Sequence, residues 1–490
     1  MAVSPPFFIF FLCYALLFSF ATSEVVFPLT HAVPPSRFSS TYHLLKFSAD
    51  RSANRFRNHH RPQQQQLSLP LSQGSDYTLS FTVNTNPPQS VSLFLDTGSD
   101  LVWFPCHPFE CVLCENKQPP SGIRPVNLSS LTATKVHCKS PSCSAAHSKL
   151  PSSDLCAISD CPLLSIEMSD CLSFPCPPFY YAYGDGSLVA RLFSNSISLP
   201  LSRRSMTFPN FTFACSHSSL GEPLGVAGFG QGILSLPAQL ASYNSQLGST
   251  FSYCLVSPPL NSTHTTLPSP LILGRVDEKK RHSNSDDELP RFVYTPLLDN
   301  PNLYLVGLEE ISVGKNSMAA PELLKRVDNQ GTGGMVVDSG TTFTMLPDQL
   351  YSNVVSSFEA AMGAEYERAS EVEKNTGLGP CYFSSAGSLI VPELALTFSG
   401  SGRSRVKLPK ENYFHEFVDE SHPGERRNVG CLMLMNGGDE KELKGGPWGT
   451  LGNFQQRGFL VVYDLEQKRV GFSRRHCPSL WESMKKSRRD

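Results

Sequence analysis

Phe94-Leu95-Asp96-Thr97-Gly98-Ser99 and Val336-Val337-Asp338-Ser339-Gly340-Thr341 decide the fold. Each is the end of an apolar, β-prone run followed by Asp, a hydroxyl residue, Gly and a second hydroxyl residue. One Asp-Thr-Gly alone would read as an ordinary turn, since Asp and Gly are common turn residues. Two copies in the same order are a repeat. Each is followed much later by a matching triplet, Val226-Ala227-Gly228 in the first half and Thr450-Leu451-Gly452 in the second. The chain therefore has two related halves, each contributing one aspartate in the same local setting.

Around these motifs the texture is one of short alternating or apolar runs, which predict strands at Tyr77–Val83, Ser90–Leu95, 206–215, 250–256, 292–298, 303–313, 334–338, 393–398 and 458–473. Helical periodicity is confined to Leu236–Ser245 and Pro347–Met362, the latter with apolar Leu350, Val354, Val355 and Phe358. The expectation is a mostly β protein. A length of 490 residues favours at least two domains, and 39 Pro disfavour long helices. The charged run Arg275–Leu289 separates the halves and is assigned to a linker or surface loop over 275–290.

Lys+Arg 41 against Asp+Glu 43 gives a net charge of -2, which argues against a nucleic-acid binder. The charge is unevenly spread. Residues 24–75 carry Arg37, Lys46, Arg51, Arg55, Arg57 and Arg61 against Glu24 and Asp50, a net +4 that leaves -6 for the remainder. With its Gln63–Gln66 tract this segment reads as a low-complexity propeptide or a plain spacer. Before it, the 14-residue apolar run 7–20 ending at Ala21-Thr22-Ser23 has the length of a signal-peptide core, so 1–23 is expected to be removed on secretion. No later run approaches a membrane span, and 481–490 is read as a polar tail.

Of the 15 Cys, Cys13 falls in the signal peptide. The remaining fourteen are Cys106, Cys111, Cys114, Cys138, Cys143, Cys156, Cys161, Cys171, Cys176, Cys215, Cys254, Cys381, Cys431 and Cys477, an even set that predicts disulfides in an oxidising compartment. Cys111 and Cys114 have zinc-knuckle spacing, but disulfide is the better reading there. Cys156 with Cys161 and Cys171 with Cys176 look like small closed loops. Asn127, Asn210 and Asn261 head N-glycosylation sequons.

In these features the chain resembles the pepsin-like aspartic proteases, over nearly all of 75–477, and most of all their plant nepenthesin-like branch. The resemblance rests on Asp96 to Trp103, Gly225-Val226-Ala227-Gly228-Phe229-Gly230, Phe251-Ser252-Tyr253-Cys254, Tyr294 to Leu298, Val306-Gly307-Leu308 and Leu451-Gly452-Asn453-Phe454. It implies a bilobal fold, with an N-terminal lobe at 76–274, a Cys-rich insertion at 104–179 and a C-terminal lobe at 291–480. The active-site cleft lies between the two β-rich lobes, with Asp96 and Asp338 as the catalytic pair. Thr97, Gly98, Ser99, Ser339, Gly340 and Thr341 are its supports. Tyr183 and Gly184 match the flap, and Trp103 the tryptophan behind it. A Cys381–Cys431 bridge is expected in the second lobe.

Two carboxylates a few ångströms apart cannot both ionise cheaply, so they share a proton. The ionised partner then activates a water, while the protonated one polarises the scissile carbonyl. The expected function is a secreted endopeptidase acting at acidic pH on peptides or proteins as a monomer, extracellular in the cell wall or vacuolar, with no cofactor, metal, nucleic acid or membrane anchor. Basic residues of 24–75 would pair with the cleft carboxylates at neutral pH. The rival is a non-enzymatic binding protein on the same fold, such as an inhibitor of microbial glycosidases. Gly228-Phe229-Gly230-Gln231-Gly232 lacks the Lys of a phosphate-binding loop, and Gly184-Asp185-Gly186-Ser187 has Asp where a nucleophile elbow needs Ser.

Overall fold

The two triplets that follow the aspartate motifs are the parallel neighbours of the strands that deliver those aspartates. Strand Gln89–Asp96 runs parallel to Gly225–Gly228, with Phe94 opposite Val226 and Asp96 opposite Gly228. Met335–Val337 runs parallel to Gly449–Leu451, with Val336 opposite Thr450. Both glycines are sterically required. A Cβ on Gly228 would lie 2.6 Å from the backbone at Asp100 and Leu101, and one on Gly452 would lie 2.5 Å from Thr342 O. Each half thus repeats one device: the chain leaves a strand at Asp, turns, and crosses tightly over a neighbouring glycine.

The computed structural model describes residues 25–31, 38, 40–58, 77–114, 124–128, 133–148, 150–159, 174–183, 186–200, 205–221, 223–257, 268–275, 291–384, 388–400, 404–420, 426–439, 441, 443 and 445–486. The assigned signal peptide 1–23, the Gln63–Gln66 tract, Cys161, Cys171, Gly184, Asn261 and residues 276–290 of the charged run lie outside the described residues, as does the side chain of Tyr183. The architecture is mostly β. A 14-stranded sheet runs, in spatial order, from Val293–Pro296 through Arg469–Arg474, Phe459–Asp464, Thr250–Cys254 and Ser269–Leu273 to Val25–His31. It continues through Tyr77–Val83, Gln89–Asp96, Gly225–Gly228, Val102–Val112, Ser205–Leu220 and Gly186–Pro200. Strands of both halves share this sheet, and one apolar core runs through both, from Leu79, Phe81 and Leu95 to Val337, Phe358 and Tyr463. The second half adds a five-stranded sheet carrying the Asp338 strand, with smaller sheets of four and three strands.

The segment read as low-complexity is structured where it is described. Val25–His31 pairs antiparallel with Ser269–Leu273 and with the start of Tyr77–Val83. Thr41–Asn58 is an 18-residue helix. Its buried residues Tyr42, Leu45, Ala49, Ser52 and Phe56 recur every three or four positions. Ser48, Arg51 and Arg55 are buried as well, and these polar and basic residues masked the stripe in composition. The side chain of Ser40 accepts from the His43 N–H at the helix start. The helix packs on Ser370–Thr376, Phe414–Asp419 and Thr344–Leu346 of the second half. Phe56 is seated where a Cβ on Gly437 would meet its ring at 2.6 Å. The assigned polar tail also needs correcting, because Cys477–Lys486 is a helix with Leu480 and Met484 buried. No helix among the described residues is long and apolar enough to cross a membrane.

Six disulfides join described cysteines. Cys111 pairs with Cys114 and Cys381 with Cys431. Cys106–Cys215 carries one bridge out of the Cys-rich insertion, and Cys254–Cys477 ties the terminal helix to the shared sheet. The two small loops expected at Cys156–Cys161 and Cys171–Cys176 are not formed: Cys156 bonds Cys138, and Cys176 bonds Cys143. The insertion folds the short helices Pro141–Ala146 and Ser152–Ile158 back onto Trp103, Phe179 and Leu188, which brings distant cysteines together. Replacing both Cys106 and Cys215 by Ser should lower unfolding stability by about 2–5 kcal/mol, measured in denaturant without reductant. An unchanged midpoint would show the bridge to be dispensable.

Candidate active site

Asp96 and Asp338 stand on loops whose hydrogen bonds are near mirror images. Gly98 N donates to Asp96 Oδ1 at 2.9 Å, and Gly340 N to Asp338 Oδ1 at 2.7 Å. Ser99 Oγ donates to Asp96 Oδ2 at 2.7 Å, and Thr341 Oγ1 to Asp338 Oδ2 at 2.6 Å. The loops also grip each other. Thr97 N donates to Ser339 Oγ at 3.0 Å and Ser339 N to Thr97 Oγ1 at 2.9 Å, while these hydroxyls donate onward to Val337 O and Leu95 O. Four hydrogen bonds between buried groups hold the aspartates' backbones in register. A Cβ on Gly340 would sit 2.3 Å from Asp96 Oδ1, and one on Gly98 would sit 2.9 Å from Asp338. Each glycine makes room for the carboxylate from the opposite half.

The two carboxylates are bridged by a cation. Arg55, from the helix Thr41–Asn58, donates through Nη2 to Asp96 Oδ1 at 2.5 Å and through Nε to Asp338 Oδ2 at 2.9 Å. Nη2 also lies 3.4 Å from Asp338 Oδ1. One guanidinium nitrogen thus reaches the inner oxygens of both aspartates. The side chains of Arg55, Asp96 and Asp338 are 6%, 4% and 0% exposed. A buried ion triad of this kind is stable only while all its members keep their charges.

Three neighbours of this centre escaped sequence reading. Asp100 accepts from Gly232 N at 2.7 Å and fills space that Cβ atoms on Gly230 and Gly232 would occupy, which ties the Asp96 loop to the Gly-rich turn. Tyr181 packs against the apolar cluster containing Trp103. Burial raises its phenol pKa, the Asp100 and Asp96 carboxylates raise it further, and Arg55 opposes them. It lies two positions before Tyr183, whose backbone pairs with Gly186 across the hairpin. Below the dyad, Tyr463 lies 3.1 Å from Val337 O. A Tyr in an otherwise Val-rich strand, Phe459-Leu460-Val461-Val462-Tyr463, is the signal that could have found it. Trp103 is fully buried. Cys143, His147 and Cys176 are close enough to group as metal ligands, but the two thiols are joined as a disulfide.

Residues 77–275 match the family model described as xylanase inhibitor N-terminal, and 303–474 match xylanase inhibitor C-terminal. The chain belongs to the pepsin-like aspartyl protease family. It is 56% identical to a probable aspartyl protease of Arabidopsis thaliana, over 86% of each chain. It is 28% identical to aspartic proteinase nepenthesin-1 of Nepenthes gracilis, over 82% of this chain and 78% of that one. Among solved structures it is similar to basic 7S globulin from soybean, with a TM-score of 0.58 at 19% identity over 92% of this chain and 96% of that one. Its TM-score with edgp is 0.57, at 20% identity over 94% and 97%. These likenesses confirm the fold.

One titrating group of this aspartyl protease homologue sits on the strand that carries the Arg55 helix. His415, in Phe414–Asp419, has its pKa lowered to about 4 by burial and then by Arg457, with Glu416 opposing. The native state keeps this imidazole neutral, whereas the unfolded chain takes up a proton near pH 6.5. Its contribution is present above that pH and is lost as the pH falls towards about 4. His415→Gln should remove up to about 3 kcal/mol of acid-side stability loss, read by urea unfolding at neutral pH and near the lower value. The same acid decline in the variant would assign that loss elsewhere.

Proposed function

We propose that the protein is a secreted aspartic endopeptidase made in a closed form, with Arg55 of the 24–75 propeptide occupying its catalytic centre. The observation that carries this reading is the mirror-related pair Asp96 and Asp338, held by matched donors and bridged by one guanidinium. Two carboxylates sharing one buried site need a positive charge or a proton between them. At neutral pH Arg55 supplies the charge. Acid weakens buried ion pairs in general, and breaking this one leaves a buried guanidinium without anions, at a cost of about 3–5 kcal/mol, so the helix loses its anchor.

With Arg55 gone, a water takes its place between the inner oxygens. The ionised aspartate removes a proton from that water as it attacks the scissile carbonyl. The protonated aspartate donates to the carbonyl oxygen, and the tetrahedral intermediate collapses as the leaving nitrogen gains a proton. No covalent enzyme intermediate forms. Ser99 and Thr341 engage the outer oxygens and leave the inner ones to the water. Six disulfides fit passage through an oxidising compartment. Asn210 is exposed on its strand, open to a glycan.

The test is peptide hydrolysis at acid pH by wild type, Asp96→Asn and Asp338→Asn, with and without pepstatin. Each substitution should lower kcat by about 10³-fold or more, and pepstatin should abolish the wild-type rate. Pepstatin-insensitive hydrolysis that survives both substitutions overturns the mechanism. A folded chain that cleaves nothing but binds a microbial xylanase tightly would favour the inhibitor reading, to which the matched family's description points.

A further inference from the structure

Two phenols and an amide lie buried under the catalytic loops. Tyr463 Oη is 3.1 Å from Val337 O and 3.4 Å from Thr97 Oγ1. Tyr253 Oη is 2.9 Å from Tyr463 Oη and donates to Gln456 Oε1. Gln456 Nε2 then donates to Leu451 O at 2.8 Å and to Asp338 O at 3.3 Å. Tyr253 and Tyr463 are completely buried and Gln456 is 1% exposed. The Tyr463 ring is stacked on Phe251 at 4.6 Å and tilted against Tyr304 at 4.6 Å, which leaves it no freedom to turn away. Burial keeps both phenols protonated. Tyr253 spends its proton on Gln456, and Tyr463 shares its own between Val337 O and the Tyr253 oxygen.

Polar groups sunk this deep are costly unless every one is partnered, and here the partners are specific. They are the carbonyls of Val337 and Asp338, on either side of the Asp338 Cα, and the Thr97 hydroxyl that grips the same loop from the other half. Tyr253 comes from a first-half strand, and Tyr463 from the second-half strand paired with it, with Phe251 opposite Tyr463. The network therefore spans both halves, ending on the backbone carbonyls of the Asp338 loop and on the Thr97 hydroxyl of the Asp96 loop.

We propose that Tyr463, Tyr253 and Gln456 are positioning residues that set the height of the Asp338 loop against the Asp96 loop, and with it the spacing of the two carboxylates. The consequence for rate rests on the protease reading above. Tyr463→Phe is a mild probe: the ring stack remains, Val337 O still accepts from Thr97, and Tyr253 keeps Gln456. Tyr253→Phe serves as the second variant should the first fail to fold.

The full chain after acid activation is assayed as wild type, Tyr463→Phe and Tyr253→Phe, with thermal melting alongside. The proposal expects kcat to fall by about tenfold or more with KM within about twofold. It also expects the acid and alkaline limbs of the pH profile to move closer together, because carboxylates held less tightly repel each other less. Unchanged kcat and unchanged limb spacing overturn it, whatever happens to the melting temperature. Carboxyl-carbon NMR titration of Asp-labelled protein, assigned with Asp96→Asn, reads the same spacing without turnover. Should wild type cleave nothing, the protease reading fails on its own. A narrower carboxyl titration in Tyr463→Phe would then still support the positioning network, and an unchanged one would overturn it.

Discussion

Two negative charges confined to one buried site are the constraint from which the rest of this structure follows. Asp96 and Asp338 repel each other in a region that excludes water, so their backbones must be held rigidly and the space between them must contain a cation or a proton. The reciprocal Thr97–Ser339 hydrogen bonds provide the first, and Arg55 provides the second. The glycines of the motifs and of their parallel neighbours let four chain segments crowd close enough for both.

The shared sheet makes this arrangement a property of the whole chain. Val25–His31 lies at its centre, between strands that lead to Asp96 and strands that carry Tyr253 and Tyr463. The segment that delivers Arg55 is thus anchored twice, by strand pairing upstream and by the apolar stripe of its helix on the second half. Losing the Arg55 bridge releases one of several contacts. Under the function proposed above, departure of the helix is for that reason a balance that acid tips against its remaining contacts.

The aspartate pair, its hydroxyl and glycine supports and the mostly β fold were legible because each has a local signature repeated in both halves. Most strands were legible from period-two alternation and the long helix Asp348–Met362 from its 3.6-residue stripe. What stayed hidden depended on contacts between distant segments. The helix carrying Arg55 has a buried face of Tyr, Leu, Ala, Ser and Phe, too mixed to stand out in a basic segment. The spacing of Cys156 and Cys161 suggested a local loop, yet the fold of the insertion brings Cys138 to Cys156 instead. Asp100, Tyr181 and Tyr463 matter only through what crosses over them. Arg51 is buried on the same helix face, but Arg55, three residues on from Ser52, whose Oγ accepts from Phe343 N, is the one that donates to both aspartates.

The most direct measurement is the pH at which the full-length chain begins to hydrolyse a peptide, compared between wild type and Arg55→Gln. Wild type should be silent near neutrality and start after a lag on acidification. Arg55→Gln leaves the carboxylates without their cation and should start at higher pH with a shorter lag, since removing one partner of a buried ion pair shifts opening by about two orders of magnitude or more. Identical onset and lag in the two proteins would contradict the role assigned to Arg55.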